Sequence, residues 1–244
     1  MESRLAKELK LRYHPVAVIF SDKKPENALQ FKEGKWGCVI SMLTAAAKGK
    51  IVALDRKTVR CMGGRTGVGF GNAYAENPGW IEYFLSTGKP GEYEGEAYKK
   101  TPELAKKMIE RVPATSITFE YVILKPLNKV DPEKEKLELV IFYANPDQLS
   151  ALTVLANYGR PTNDNVAINM GSACSTVCLY PYQESQREMP KAVIGLTDVT
   201  ARPYVDPDIL AFTIPYKMFL EMEADVPGSF LEKKSWLKLR ERIK

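Results

Sequence analysis

Four cysteines are the residues of this sequence best suited to chemistry. Three of them lie beside glycines at predicted element boundaries: Trp36-Gly37-Cys38, Cys61-Met62-Gly63-Gly64 and Gly171-Ser172-Ala173-Cys174. Cys38 and Cys174 each precede a predicted helix, whose dipole and free amides lower a thiol pKa and so favour the thiolate that binds metals. Cys178 lies four residues after Cys174, a spacing that places both on one side of a helical turn. Cys38, Cys61, Cys174 and Cys178 are therefore the candidate metal ligands.

The scarcity of histidine narrows the kind of site. His14 is the single histidine and precedes Pro15, so a capping or surface role is its simplest interpretation, and no catalytic residue is assigned. Thiolate-only ligation favours an iron–sulfur cluster, with a cysteine-rich zinc site as the alternative. The chain has no C-x-x-C pair, and its spacings match neither ferredoxins nor zinc ribbons. From the spacings alone, buried structural cysteines are therefore the stronger interpretation.

The glycine-rich run from Gly63 to Gly71 suggests a second kind of site. Several backbone amides in such a run can bind an anion, and Arg65 adds positive charge. The run lacks the Gly-Lys-Ser/Thr of a P-loop, and no predicted helix opens directly after its glycines as a dinucleotide fingerprint requires. The alternative function is therefore non-enzymatic binding of a small anionic metabolite through Gly63, Gly64, Arg65 and Gly67. A sharp structural loop explains the run equally well.

Helices and strands must position these residues, and their order indicates the fold class. Strands are predicted at 16–20, 51–54, 58–61, 115–124, 137–143, 166–169, 192–196 and 209–214. Helices are predicted at 2–13, 38–48, 80–85, 102–111, 145–159, 215–224 and 231–243. Because the two types do not alternate strictly, we expect an α+β fold with a mixed sheet flanked by helices. A length of 244 residues fits one compact domain, 1–244, with lobes 1–112 and 113–244 as an alternative division.

Composition and charge bear on partners and location. The net charge of +5 is spread along the chain, whereas a nucleic-acid partner would favour a concentrated basic face. We therefore expect a small-molecule ligand and no nucleic acid. The start of the chain lacks an apolar signal-peptide core, and no segment has the length and apolarity of a membrane span, so a cytoplasmic protein is expected. The segment 233–244 is basic, which leaves a scaffold with a docking helix as a third hypothesis.

The motifs together resemble the uncharacterised archaeal and bacterial family known as domain of unknown function 169. Besides the three cysteine motifs, the resemblance includes Asn145-Pro146-Asp147-Gln148, Gly195-Leu196-Thr197-Asp198 and Pro215-Tyr216-Lys217-Met218-Phe219, and it extends from about 36 to about 230. It implies that cysteines matching Cys38, Cys61 and Cys174 recur in relatives, whereas Cys178 is less regular. The family implies no particular activity.

The resemblance turns the leading hypothesis toward a cysteine-ligated cofactor with a redox or Lewis-acid role. Three thiolates would leave one iron of a cluster open to substrate or to a fourth ligand such as Cys178. Because the predicted elements return the chain to one end of the sheet, the sulfurs of Cys38, Cys61 and Cys174 should converge in one pocket. The run 63–71 should form part of its wall.

Overall fold

Seven strands form one mixed sheet in the computed structural model, which describes residues 1–243. The strands are β1 (Val16–Ser21), β2 (Val52–Asp55), β3 (Tyr121–Pro126), β4 (Leu137–Ala144), β5 (Val166–Ile168), β6 (Ala192–Gly195) and β7 (Leu210–Pro215). Their order is β2-β3-β1-β4-β7-β6-β5, and all neighbours are antiparallel except β5 and β6. The predicted α+β class with a mixed sheet is confirmed. Because β1 lies between β3 and β4, the sheet joins 1–112 with 113–244.

The central strands are buried on both sides, as their continuous apolar runs require. Successive residues of β1 and β4 point to opposite faces: Phe142 packs into one apolar cluster, while its neighbours Ile141 and Tyr143 pack into the other. Helices cover each face, giving three layers.

One face of the sheet, which we call the apolar face, is covered by four helices. They are α1 (Arg4–Glu8), α6 (Pro146–Tyr158), α8 (Tyr216–Asp225) and α9 (Lys234–Arg240). The Asn145 side chain accepts a hydrogen bond from the Gln148 amide, and the Gln148 side chain accepts one from the Asn145 amide, so α6 begins with a full capping box.

The opposite face, which we call the thiol face, is covered by shorter elements. These are α2 (Val39–Ala47), α3 (Met62–Gly67), a π-helical turn (Ser175–Leu179) and α7 (Tyr180–Ser185) that continues it. Two further helices, α4 (Ile81–Phe84) and α5 (Pro102–Glu110), form a small satellite cluster beside it. None of the helices described between residues 1 and 243 is both long and apolar enough to cross a membrane.

Several predicted boundaries were wrong for identifiable reasons. The first helix ends at Glu8 rather than Tyr13, and Lys10 takes a left-handed conformation with φ of +48°. Residues 58–61 are an irregular connection, and β3 begins at Tyr121 instead of Thr115. The final helix covers only Lys234–Arg240, because a short 3₁₀ turn precedes it.

Candidate functional site: three thiols packed around a glycine helix

The three motif cysteines lie just before three short elements of the thiol face. Cys38 is the N-cap of α2, Cys61 is the N-cap of α3, and Cys174 immediately precedes the π-helical turn. Cys38 and Cys61 are partly exposed, whereas Cys174 is buried, and all four cysteines are free thiols. The helix predicted after Cys174 therefore begins with a π-helical turn, a feature often found at functional sites.

Gly67 lets α3 and the Cys174 segment approach each other to backbone contact. A Cβ added at Gly67 would lie 2.4 Å from the Cβ of Cys174 and 2.5 Å from the backbone nitrogen of Ser175. No real side chain fits at such distances, so the glycine is a packing requirement. Gly63 lies one turn earlier and faces the same segment, where an added Cβ would lie 3.2 Å from the Cβ of Ser172.

Gly64 likewise allows α3 to pack closely against the segment that contains Cys38. A Cβ there would lie 2.9 Å from Cγ2 of Val39, the residue that follows Cys38, and 3.4 Å from the Cβ of Cys61. The glycines of α3 thus face two neighbours: one side contacts the start of α2, and the other contacts the residues around Cys174. This arrangement brings the chain segments that carry Cys38, Cys61 and Cys174 together, and we call these three residues the thiol cluster.

Burial and the neighbouring thiols together affect how readily the cysteines of the thiol cluster ionise. Burial raises the pKa of Cys174 well above its ordinary value, and the Cys61 and Cys38 thiols raise it further. Burial also raises the pKa of Cys38; the amides of Ile40 and Ser41 oppose this rise, while Cys61 adds to it. The expectation that helix N-termini would lower these two pKa values was wrong, because desolvation outweighs the nearby amides. Without a cationic partner, the folded protein therefore favours neutral thiols at these two positions.

Asp198 connects the thiol cluster to two neighbouring segments. One carboxylate oxygen accepts a 3.1 Å hydrogen bond from the amide of Ala173, and the other accepts hydrogen bonds from the Tyr98 hydroxyl at 2.8 Å and from Thr200. Burial, with Asp198 adding to it, raises the pKa of Tyr98 to about 12. Asp198 thereby holds the residue before Cys174 in place. The sequence motif 195–198 contains this aspartate but indicates no role for it.

Two tyrosines contribute hydroxyl groups beside the thiols, and sequence reasoning missed both. Burial raises the pKa of Tyr143, which is 2% exposed on β4 and whose hydroxyl lies 3.1 Å from that of Thr44 on α2. Burial likewise raises the pKa of Tyr74, and the Cys174 and Cys61 thiols add to the rise. No sequence signal marks either residue, and Tyr143 lies within the continuous apolar run of an ordinary buried strand.

Cys178 is buried in the π-helical turn that follows Cys174, and burial alone raises its pKa to about 12. Cys178 adds to the rise in the pKa of Cys174. The role of Cys178 as a fourth ligand stays a prediction.

The glycine run is a helix where a loop was expected, since Met62–Gly67 forms α3. Within it, the amides of Arg65 and Val68 donate to the carbonyls of Cys61 and Gly64, so they are not free for an anion. Arg65 is also engaged, because its guanidinium donates to both carboxylate oxygens of Glu76, at 2.9 and 3.2 Å. Gly63, Gly64 and Gly67 pack against neighbouring segments, and Arg65 forms an ion pair. Anion binding through Gly63, Gly64, Arg65 and Gly67 stays a prediction.

The fit of the thiol cluster to a metal depends on its spacing. Among residues 1–243, no three cysteine, histidine, aspartate or glutamate side chains are placed to share one metal ion. Thiolates on a single zinc ion lie about 4 Å apart, given zinc–sulfur bonds of about 2.3 Å. Polynuclear clusters separate their thiolates by roughly 6–7 Å, since several metal–sulfur bonds lie between them.

Comparison with known proteins identifies the family of the chain. A family described as Uncharacterised ArCR, domain of unknown function 169, matches residues 4–225, and so includes the whole sheet and every residue of the thiol cluster. No curated protein and no solved structure matches the chain. The chain belongs to the domain of unknown function 169 family.

Proposed function

We propose that this protein holds a cysteine-ligated cofactor at the thiol cluster, an iron–sulfur cluster in preference to zinc, with a redox or Lewis-acid role. The observation that carries the proposal is the packing of α3. A Cβ added at Gly63, Gly64 or Gly67 would lie too close to a neighbouring segment, so the glycines allow α3 to pack closely against the residues next to Cys38 and Cys174. A helix of this composition is costly, because each interior glycine is about 1 kcal/mol less favourable than alanine.

The electrostatics of the cluster support a cationic occupant. Three further thiols, those of Cys61, Cys38 and Cys178, and the Asp198 carboxylate add to the effect of burial in raising the pKa of Cys174. Such a group of ionisable acids is unfavourable when charged and is stabilised by metal ions, which bind thiolates and offset the repulsion.

The exposure of the thiols bears on the role of such a centre. Cys174 is buried while Cys38 and Cys61 reach the surface, so a cluster bound by all three would have one side open to solvent. With three protein thiolates, one iron of a four-iron cluster is free to bind an oxygen ligand or to accept an electron at that side. When bound, the cluster would supply the reactive metal, and Tyr74 and Tyr143 would supply nearby hydroxyl groups.

Anaerobic reconstitution with iron and sulfide tests the proposal. We expect the full-length protein to bind both elements, to develop broad visible absorption and to give an electron paramagnetic resonance signal on reduction. Cys38→Ser, Cys61→Ser and Cys174→Ser should each lose most of the bound iron, because each removes a ligand. Cys178→Ala is the matched control, a buried cysteine outside the cluster, and should keep it.

Three outcomes contradict the proposal. Protein that folds but takes up neither iron nor sulfide would exclude the cluster, and binding of zinc in the absence of iron uptake would favour the alternative metal. Equal iron loss in Cys178→Ala and Cys61→Ser would show that the ligand set is wrong. Circular dichroism of each variant distinguishes loss of ligand from loss of fold.

A further inference from the structure

The two edges of the sheet differ in how they are covered. At the β2 edge, the Leu29 amide donates to the Ile51 carbonyl and the Ala53 amide donates to the Leu29 carbonyl, both at 2.8 Å. At the other edge, no segment of residues 1–243 pairs with the outer side of β5. An unpaired edge can bind a further strand, and proteins usually protect such an edge by covering it or by placing charges or proline there. The chain covers its β2 edge and leaves its β5 edge open.

The backbone of β5 presents hydrogen-bonding groups to the open side. The Ala192 amide at the start of β6 donates to the Asn165 carbonyl at 2.9 Å, so the carbonyl of Asn165 faces β6. Because the backbone groups of successive strand residues point to alternate sides, those of Ala167 also face β6, whereas those of Val166 and Ile168 face outward. Within the described residues, two amides and two carbonyls therefore lack a strand partner at this edge.

The side chains in and after β5 do not protect this edge. The segment 165–180 contains neither a charged residue nor a proline. Asp164, which precedes it, forms an ion pair with Lys191 at 2.7 Å. Ile168 is 64% exposed, and Met170, two residues further along the chain, is 54% exposed. An edge strand that is uncharged and exposes aliphatic side chains is a surface for pairing with another strand.

We infer that β5 pairs with β5 of a second copy of this chain, antiparallel and about a two-fold axis at Ala167, so that the two sheets become one continuous sheet. This register places Val166 opposite Ile168 of the second copy. The outward amides and carbonyls of such a pair form two hydrogen bonds, and the two-fold axis repeats them. Every outward backbone group of Val166 and Ile168 then has a partner. The inference does not depend on the proposed function.

Charge and side-chain size favour a second copy as the occupant of this edge. Because the segment is uncharged and Asp164 is already paired, two copies meet without repulsion between like charges. At the axis, Ala167 lies opposite Ala167 in a non-hydrogen-bonded pair, whose Cα atoms are only about 4.5 Å apart, so a small side chain suits the position. Ile168 lies on the same face as Val166, because its register opposite Ile194 directs it to the apolar face. The pairing therefore adds an aliphatic contact on that face in each half of the dimer.

Sedimentation velocity of the full-length protein under reducing conditions tests the assembly. We expect the wild-type protein to form a dimer. Ile168→Lys should raise the dissociation constant of that dimer by about tenfold or more, because it places two like charges beside the axis and removes the aliphatic contact. Leu29→Lys is the matched control, because it places the same charge at an exposed leucine on the opposite edge of the sheet, and it should leave the dimer intact. Circular dichroism of each variant reports whether it folds.

A cysteine cross-link tests the register. Ala167→Cys places two thiols at the axis with Cα atoms about 4.5 Å apart, which is within the span of a disulfide. Glutathione disulfide oxidises these two thiols to one disulfide and is itself reduced to two glutathione molecules, so non-reducing electrophoresis should show a covalent dimer. Asn169→Cys is the matched control, because the same register separates its two copies by about 13 Å along the strands, too far for a disulfide. Wild-type protein measures any cross-linking through the native cysteines.

Three results would overturn the inference. Wild-type protein that stays monomeric at the highest concentration in the centrifuge would exclude a second copy as the occupant of the β5 edge. A dimer that Leu29→Lys weakens as much as Ile168→Lys would place the contact elsewhere. Cross-linking of Asn169→Cys in place of Ala167→Cys would exclude the register. None of these measurements involves iron or sulfide uptake, so failure of this inference would leave the proposed function standing.

Discussion

The two faces of the sheet bury apolar clusters of the same size in different ways. On the apolar face, α6 and α8 present long aliphatic and aromatic side chains to β4 and β7, and side-chain volume fills the space. On the thiol face, α3 contributes three glycines, and Gly67 meets Cys174 just before the π-helical turn, so backbones approach where side chains would otherwise lie. One face is built for packing, and the other for bringing three chain segments together.

This difference teaches where function is expected in the fold. In the capping box of α6 and the continuous apolar run of β4, the local sequence preference agrees with the overall fold, which is typical of regions that contribute mainly to stability. The thiol face departs from such agreement: a helix of glycines, a π-helical turn, and Leu196 in a left-handed conformation at φ of +66°. Departures of this kind cost stability and concentrate at functional sites.

The largest expected effect comes from comparing substitutions at two adjacent residues of β4 whose side chains lie on opposite faces of the sheet. Phe142→Ala should lower the free energy of unfolding by about 3–5 kcal/mol, because a fully buried ring leaves a cavity on the apolar face. Tyr143→Phe on the thiol face should cost about 0.5–1.5 kcal/mol, the loss of the contact with Thr44. Urea denaturation measures both. A Phe142→Ala protein that remains folded yet takes up no iron would contradict the independence of the faces.

A pair of glycine substitutions sharpens the comparison. Gly67→Ala places a methyl group against the backbone of Ser175 and should destabilise the protein by about 1–3 kcal/mol while separating Cys61 from Cys174. Gly159→Ala is the matched control beside the apolar face, because its methyl group meets only the flexible carboxylate of Asp225. Thermal unfolding and iron uptake report the two effects. Equal costs at the two positions would show that the close approach at Gly67 is not a packing requirement.

The smallest effect concerns the turn that leads from β2 to Cys61. Burial opposes ionisation of Asp55, but hydrogen bonds from Thr58, Gln30 and Lys57 outweigh it and hold the pKa of Asp55 below its ordinary value. The carboxylate therefore stabilises the fold fully above an unfolded pKa of about 3.9, and this contribution is lost as pH falls through the lower folded value.

Asp55→Asn tests the direction of this pKa shift and of the pH dependence of stability that follows from it. The difference in unfolding free energy between wild type and Asp55→Asn should be larger at neutral pH than in acid, as measured by urea denaturation across the pH range. A difference that grows as the pH falls would contradict the depressed pKa.

Much of the fold was predictable because its signals are local. The capping residues of α6 lie within four positions of one another. The paired strands β4 and β7 carry the apolar residues expected of a buried sheet. The helical state of 62–67 was not predictable in the same way, because glycine is a poor helix former and only contacts with Val39 and Cys174 make the short helix favourable. The position of Tyr143 beside the thiols was not predictable either, because its sequence context is that of any core residue and its contact with Thr44 is made only in the folded chain.

The sequence by itself determined which side chains could do chemistry and which segments would be buried. Residue type is a local property, so the unusual cysteine–glycine motifs at 36–38, 61–64 and 171–174 were recognisable from the order of residues alone. Only the tertiary structure decided that Gly67 packs against Cys174, that Arg65 is held by Glu76, and that Asp198 supports the Cys174 segment. These relations join residues far apart in the chain, and they depend on how closely backbones approach across α3, which no local pattern encodes.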